Sequence, residues 1–576
     1  MQFHSELPLL QGIEVADPLS AVRALAHLPY PFLLHSALPG EGARWSLFGA
    51  DPFAVFGPDD YDAARRIWRD LSARVRSGDP APSAVPFTGG VVGYWSYDFG
   101  RRLERLPTIA RDDLGLPDVK LAFYDVVGAY DHLTQQAWLF SSGLPLEDSL
   151  RQRRAQQRLD HFLALFTGRR SSPPVPRHDR PLALPSTFTP DTYRRAVETV
   201  QEHIRAGDIF QANLSQRWTC TTEPSEPGAL ALALADALAQ VSPAPYGAFF
   251  ATPDHAIASA SPERFLRLRG HEVETRPIKG TRPRSSDARE DRFLREALLA
   301  SGKDRAENVM IVDVLRNDLG RVCEPGSVHT VGLCELEAFP QVYHLVSTIQ
   351  GVLREGLDAF DLLEACFPGG SITGAPKIRA MEILESIEPV RRHVYTGGIG
   401  YLDWTGDADW NVAIRTALVT PTAVHFAAGG GITADSDPDA EYRETLDKAQ
   451  GMIRALERGL GPVALTPSRP EPLESHGRAR SGAMPERAVW IDGAMLRGRD
   501  AALSVFDRGA RDGEGLFETL RSYDGRPFRW QRHLERLVVS AAELDSRCRL
   551  RPRPCARPWR MSSRPTSSAT RRSVSR

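Results

Sequence analysis

Strand-like and helix-like segments alternate without a long break from Thr189 to about residue 460, a pattern that demands one large mixed core. Taken alone, such alternation points to a parallel sheet. The stretch opens on Thr189-Pro190-Asp191. Threonine suits an N-cap, proline suits the first turn, and aspartate suits the positive end of the helix dipole. This predicts a helix to Ala206, ended by Gly207.

Composition narrows the class. At 576 residues the chain is long enough for about three domains. Its 42% apolar and 25% charged residues are ordinary globular values. A net charge of −2 gives no basic field for nucleic acid. No run approaches the ~18 apolar residues of a membrane span. The start, Met1-Gln2-Phe3-His4-Ser5-Glu6, lacks a basic region and an apolar run, so secretion is not expected. The six cysteines (220, 323, 334, 366, 548, 555) form no Cys-x-x-Cys pair and read as reduced thiols of a cytoplasmic protein.

Residues 1–167 mix short apolar runs with turns. Val91–Trp95 and Leu121–Val127 read as buried strands and 149–166 as a helix. A proline-rich, basic stretch at 168–188 reads as a linker, and a second at 461–487 precedes a strand-turn-strand unit beginning at Ala488. From Ser546 to Arg576 the chain is about one-third arginine, with no Asp or Glu. This tail is expected to be disordered. Its abrupt composition reads as a frame shift rather than a nucleic-acid-binding arm.

Four clusters carry polar chemistry. In Gly207-Asp208-Ile209-Phe210-Gln211-Ala212-Asn213-Leu214-Ser215, residues Gln211, Asn213 and Ser215 share one strand face, as they would on an amphipathic edge strand too. Glu263 follows a proline and precedes an apolar run, and Lys279 lies between Ile278 and Gly280. The two read either as an exposed loop ion pair or as a buried acid and a desolvated nucleophile. Lys303 and Glu307 are four apart on a helix, a solvated salt bridge or part of a site. Gly429-Gly430-Gly431 follow an apolar strand and would offer backbone N–H groups to an anion. Glu441, Glu444 and Lys448 then fall on one helix face, where two carboxylates suit a hard cation.

Taken together these motifs resemble the chorismate-utilising enzymes, a family that includes anthranilate, isochorismate and aminodeoxychorismate synthases. The carriers are Gly207–Gln211, Ile311–Val322, Phe367-Pro368-Gly369-Gly370-Ser371-Ile372-Thr373-Gly374-Ala375-Pro376-Lys377, Tyr395–Tyr401 and Ala440–Thr445. Residues 30–130 extend the likeness through Leu34-His35-Ser36, Arg44-Trp45-Ser46 and Gly89–Tyr94. The resemblance implies an α+β fold: a large sandwich of two antiparallel sheets with outer helices, 1–167 being its N-terminal part and 189–460 its catalytic domain.

Pro277-Ile278-Lys279-Gly280-Thr281 resembles the branch that makes 4-amino-4-deoxychorismate, the precursor of p-aminobenzoate and folate; anthranilate synthases usually have alanine at the Lys279 position. Gln211 stands where isochorismate synthases carry a water-activating lysine. The resemblance implies a division of labour. Glu307 and Glu444, with Glu441, would hold Mg²⁺; Glu263 would act as acid and Lys279 as covalent nucleophile. Thr281, Tyr395, Arg415, Lys448 and the backbone of Gly429, Gly430 and Gly431 would bind chorismate, with His344 beside them. Ammonia would come from a separate glutamine amidotransferase subunit. Ser36, Arg44 and Trp45 match positions that hold tryptophan in some relatives, although His35 replaces an acidic residue there. The alternatives are anthranilate synthesis and a non-catalytic chorismate- or tryptophan-binding protein.

Residues 489–545 resemble the start of a fold-type IV pyridoxal-phosphate enzyme such as aminodeoxychorismate lyase, through Phe506–Gly509, Asp512–Leu520, Arg529 and His533–Leu537. Arg536 matches a phosphate contact of that family. The Schiff-base lysine is missing, since no lysine follows Lys448, so pyridoxal phosphate is not expected. A remnant of about 60 residues has too little core to fold alone.

Overall fold

The computed structural model describes residues 7–40, 42–78, 85–167, 177–339 and 342–466, with short strands between 488 and 575. It divides into two units, Met1–Glu471 and Pro472–Arg576.

In the first unit an 11-stranded and a 10-stranded sheet carry the fold, and every ladder within them is antiparallel. The parallel sheet that alternation alone suggests is therefore not formed. Phe32, Leu47 and Phe250 of one sheet cluster with Tyr94, Tyr124 and Tyr401 of the other, so the two pack through a shared aromatic core. Helices cover the outer faces: Pro227–Val241 and Pro438–Leu460 on the 11-stranded sheet, Gly302–Gly320 and Ala359–Cys366 on the other. Residues 1–167 and 189–460 contribute strands to both sheets.

Three local expectations are corrected. Leu121–Val127 is not one strand. Val119–Tyr124 belongs to the 10-stranded sheet and Val126–Asp131 to the 11-stranded sheet. Asp125 between them is fully buried and paired with Arg154 and Arg158, so an ion-paired turn carries the chain from one sheet to the other. Both stretches read as linkers hold a strand: Leu182–Pro185 runs parallel to Val463–Thr466. In the second unit Ala488–Ile491 pairs with Ala494–Arg497, matching the strand-turn-strand reading. There Arg572–Ser575, in the stretch expected to be disordered, pairs with Phe517–Leu520. Ladder pairing uses backbone groups, so an Arg- and Ser-rich composition does not forbid it.

The helix Pro190–Arg205 forms as the sequence dictates. Thr189 accepts a hydrogen bond from Thr192 N and closes a reciprocal box with it. Buried Tyr193, Ala196, Val197 and Val200 follow i, i+3, i+4, i+7 spacing and pack on Leu214, Leu384 and Ile432. Thr189→Ala should cost about 1 kcal/mol of stability, read as a lower denaturant midpoint at unchanged m-value. The described cysteines 220, 323, 334 and 366 are buried free thiols. Among the described residues no helix is long and apolar enough to cross a membrane.

Candidate active site

Glu263 sits where the chain leaves one sheet for the other, between the strands Ala256–Ser261 and Arg264–Arg269. It is 4% exposed, so the exposed-loop reading fails for it. Its neighbour Ser371 donates a hydrogen bond to Oε1 at 2.6 Å. Burial pushes its carboxyl up to about 7, against the lowering effects of Ser371 and Lys279.

Lys279 lies on Ile278–Pro283, the edge strand of the 10-stranded sheet. The register with Val342–Val352 slips between Ile278 and Thr281, a bulge that re-aims Lys279 and Gly280. Gly280 has φ +89°, and a Cβ there would lie 3.0 Å from Asp304 and Leu298. The glycine thus serves the bulge rather than the close approach of a ligand. Lys279 is half-buried. Desolvation holds its amine below the usual lysine range, with Glu307, Glu263 and Glu444 acting against that shift.

Glu307 is presented by the helix Gly302–Gly320. That helix is fixed to Val342–Val352 through the buried Asn308, whose Nδ2 donates to Leu345 O at 3.2 Å and whose Oδ1 accepts from Ser347. Lys377 ties the same helix down, contacting Asp318 at 2.6 Å and Cys366 O at 2.7 Å. Glu441 and Glu444 come from Pro438–Leu460. Burial raises the carboxyls of Glu307 and Glu441. Burial acts the same way on Glu444, but its contact with Lys448 prevails and its carboxyl lies low.

The three glycines are not a loop. They continue the strand Ala423–Ile432, with Gly429 opposite Ser215, Gly430 opposite Leu214 and Gly431 opposite Asn213. Successive N–H groups of a strand point to opposite edges, so no run of three faces one anion. Their partner strand, Gln211–Thr221, is interior and not an edge, because Gln211 and Ala212 also pair with Ala375 and Gly374. What the glycines provide is room. A Cβ on Gly430 would lie 2.9 Å from Glu441 Oε2, and one on Gly431 would meet Gln211 Nε2 and stand 3.5 Å from Glu307 Oε2.

Lys448 donates to Gly429 O at 2.9 Å and pairs with Glu444 at 2.7 Å. Lys303 stands 3.9 Å from Glu307 Oε1 and 3.5 Å from Glu441 Oε1, so the predicted i,i+4 pair is long and is shared with a second carboxylate.

No metal group is formed by the side chains as they stand: among the described residues no three His, Cys, Asp or Glu close on one point. The donor set nevertheless fits a hard cation. It is all carboxylate oxygen, it surrounds a glycine strand without Cβ atoms, and Glu441 Oε2 is buried with no hydrogen-bond partner. Gly430→Ala would bring a Cβ against Glu441 Oε2 and tests the cation-holding role: the expected outcome is about tenfold weaker Mg²⁺ binding by calorimetric titration with an unchanged circular dichroism spectrum.

Thr281 Oγ1 and His344 Nδ1 are 2.8 Å apart. Burial, with Arg415 nearby, lowers His344 to about 3, so the ring is neutral at pH 7. Arg415 is half-buried in the left-handed region at φ 50°, and no ion pair to it is present among the described residues. Tyr395 is buried beside Arg392 and Glu388, and burial raises its hydroxyl.

Ser36, Arg44 and Trp45 do come together, lining a separate cavity of about 540 Å³ with His35. Arg44 is not free there: it forms two contacts with Asp131, one of 2.8 Å, and covers the Trp45 ring at 5.0 Å. Arg536 lies outside the described residues. Two further residues belong to the site without a local sequence signal for it: Ser371, inside the Phe367–Lys377 motif, which donates to Glu263, and Gln211, whose Oε1 is buried without a hydrogen-bond partner.

A family model for chorismate binding enzymes matches residues 34–454. The chain is 39% identical over 451 residues to aminodeoxychorismate synthase component 1 of Escherichia coli, spanning 75% of this chain and 95% of that relative. It is 38% identical over 462 residues to anthranilate synthase component 1 of Thermus thermophilus, spanning 77% and 96%. The crystal structure of anthranilate synthase component I from Streptococcus pneumoniae superposes with a TM-score of 0.61 at 32% identity, covering 72% of this chain and 93% of that one. The menaquinone-specific isochorismate synthase of Escherichia coli shares the fold, with a TM-score of 0.60 at 20% identity over 78% and 95% of the two chains.

Proposed function

The chain belongs to the chorismate-binding enzymes, and within that family we propose that it replaces the C4 hydroxyl of chorismate by an amino group. The product would be 4-amino-4-deoxychorismate, made in the cytoplasm from ammonia that a separate glutamine amidotransferase subunit releases. The observation that carries this reading is that Lys279 and Glu263 lie within electrostatic reach of one another. Burial holds the lysine's amine below its usual range and pushes the buried carboxyl up to about 7. A lowered amine suits a nucleophile, and a raised carboxyl suits a general acid.

Arg415 supplies a planar cation for one substrate carboxylate, with Thr281, Tyr395 and Lys448 positioning the rest and the Gly429–Gly431 strand leaving room for it. Glu307, Glu441 and Glu444 would hold Mg²⁺, which when bound neutralises the ring carboxylate. Lys279 Nζ forms a bond to C2 while the ring double bonds shift and the C4–O bond breaks. Glu263 gives its proton to the departing oxygen, which leaves as water. Ammonia then bonds to C4, the double bonds shift back, Lys279 departs, and the surplus proton returns to Glu263. No pyruvate is released.

Without ammonia the reaction stops at the covalent stage. Intact-mass measurement on protein incubated with chorismate and Mg²⁺ should show an adduct of one chorismate less one water, absent in Lys279→Ala. A rise of that mass in Lys279→Ala as well would remove Lys279 from its role. A second reading, anthranilate formation, is favoured by the near-equal identity to the Thermus anthranilate synthase component; it is distinguished by its product.

A further inference from the structure

Three carboxylates line the glycine strand, and three lysines lie within their electrostatic reach but are not equivalent. Lys448 is tethered at 2.7 and 2.9 Å to Glu444 and Gly429 O. Lys279 is half-buried on a bulged strand. Lys303 differs from both: its contacts to Glu441 and Glu307 are long, 3.5 and 3.9 Å, and its side chain is 52% exposed. It stands in the first turn of the helix Gly302–Gly320, behind the N-cap Ser301, where the helix dipole disfavours a cation. The carboxylates it bridges offset that.

We propose that Lys303 is a place-holding cation: its ammonium keeps Glu307 and Glu441 together in the metal-free protein, and Mg²⁺ displaces it into solvent. The inference rests on the reading of Glu307, Glu441 and Glu444 as metal ligands. Glu441 uses Oε1 for Ser436 and Lys303 while its Oε2 stays unpartnered against Gly430, so a donor is already in place when the ammonium leaves. Lys303 is then a positioning residue that competes with the metal and takes no part in the bond changes.

The test is Mg²⁺ titration of metal-free protein by calorimetry and by thermal unfolding, with no substrate present. Lys303→Met removes the competitor and leaves the carboxylates to repel one another. It should bind Mg²⁺ about tenfold more tightly than the wild type, melt lower without metal, and gain more from Mg²⁺. Lys303→Arg keeps the charge and should behave as the wild type, which separates the electrostatic effect from lost packing. Equal or weaker Mg²⁺ binding by Lys303→Met, with a clear response of the wild type, would overturn the place-holder alone. A wild type that shows neither heat nor a thermal shift with Mg²⁺ would overturn the metal reading and this inference with it.

Discussion

Lys279→Ala is expected to lower kcat for C4 amination by about a thousandfold or more, the scale seen when a covalent nucleophile is removed. The substitution takes away the group that makes the C2 bond, so direct displacement by ammonia must carry the whole barrier. Little structural cost is expected, because the lysine is half-buried on an edge strand and its loss leaves no unpaired buried donor. Chorismate binding should change far less than turnover, since Arg415 and Thr281 remain. Steady-state kinetics with ammonium salt checks this. A large rise in KM with kcat intact would mean that Lys279 only binds the substrate.

Glu263→Gln is expected to lower kcat by about 10²–10⁴-fold, the range for loss of a positioned acid. The pH dependence separates this from a packing effect. Burial raises Glu263 to about 7, so its acid form dominates below that pH and disappears as pH rises through it. Lys279 titrates in the opposite sense for function: its reactive free amine grows as pH rises through its lowered value. The wild-type profile should therefore be bell-shaped, with limbs that belong to the interacting pair rather than to either residue alone. In Glu263→Gln the alkaline limb should flatten. An alkaline fall that persists unchanged would assign that limb to another group.

Much of the candidate site was legible because its polar groups carry signals local in the chain. Pro262 before Glu263, the Lys279-Gly280 step and the one-face spacing of Glu441 and Glu444 are all short-range signals. What stayed hidden depends on pairing between distant residues. Gly429–Gly431 look like an anion-binding loop until the register with Asn213–Ser215 is known. Asp125 looks like an ordinary strand residue until Arg154 and Arg158 reach it from a helix. The hydrogen bond from Ser371 to Glu263 joins positions 108 residues apart. The antiparallel sandwich was likewise beyond periodicity, since alternation suggests a parallel sheet; motif resemblance supplied it.

Product identity tests the central claim most directly. The purified chain, incubated with chorismate, Mg²⁺ and ammonium salt, is resolved by chromatography with mass detection. The account predicts 4-amino-4-deoxychorismate without pyruvate, lost in Lys279→Ala. Anthranilate accompanied by pyruvate would contradict it and move the chain to the other amination chemistry of its family.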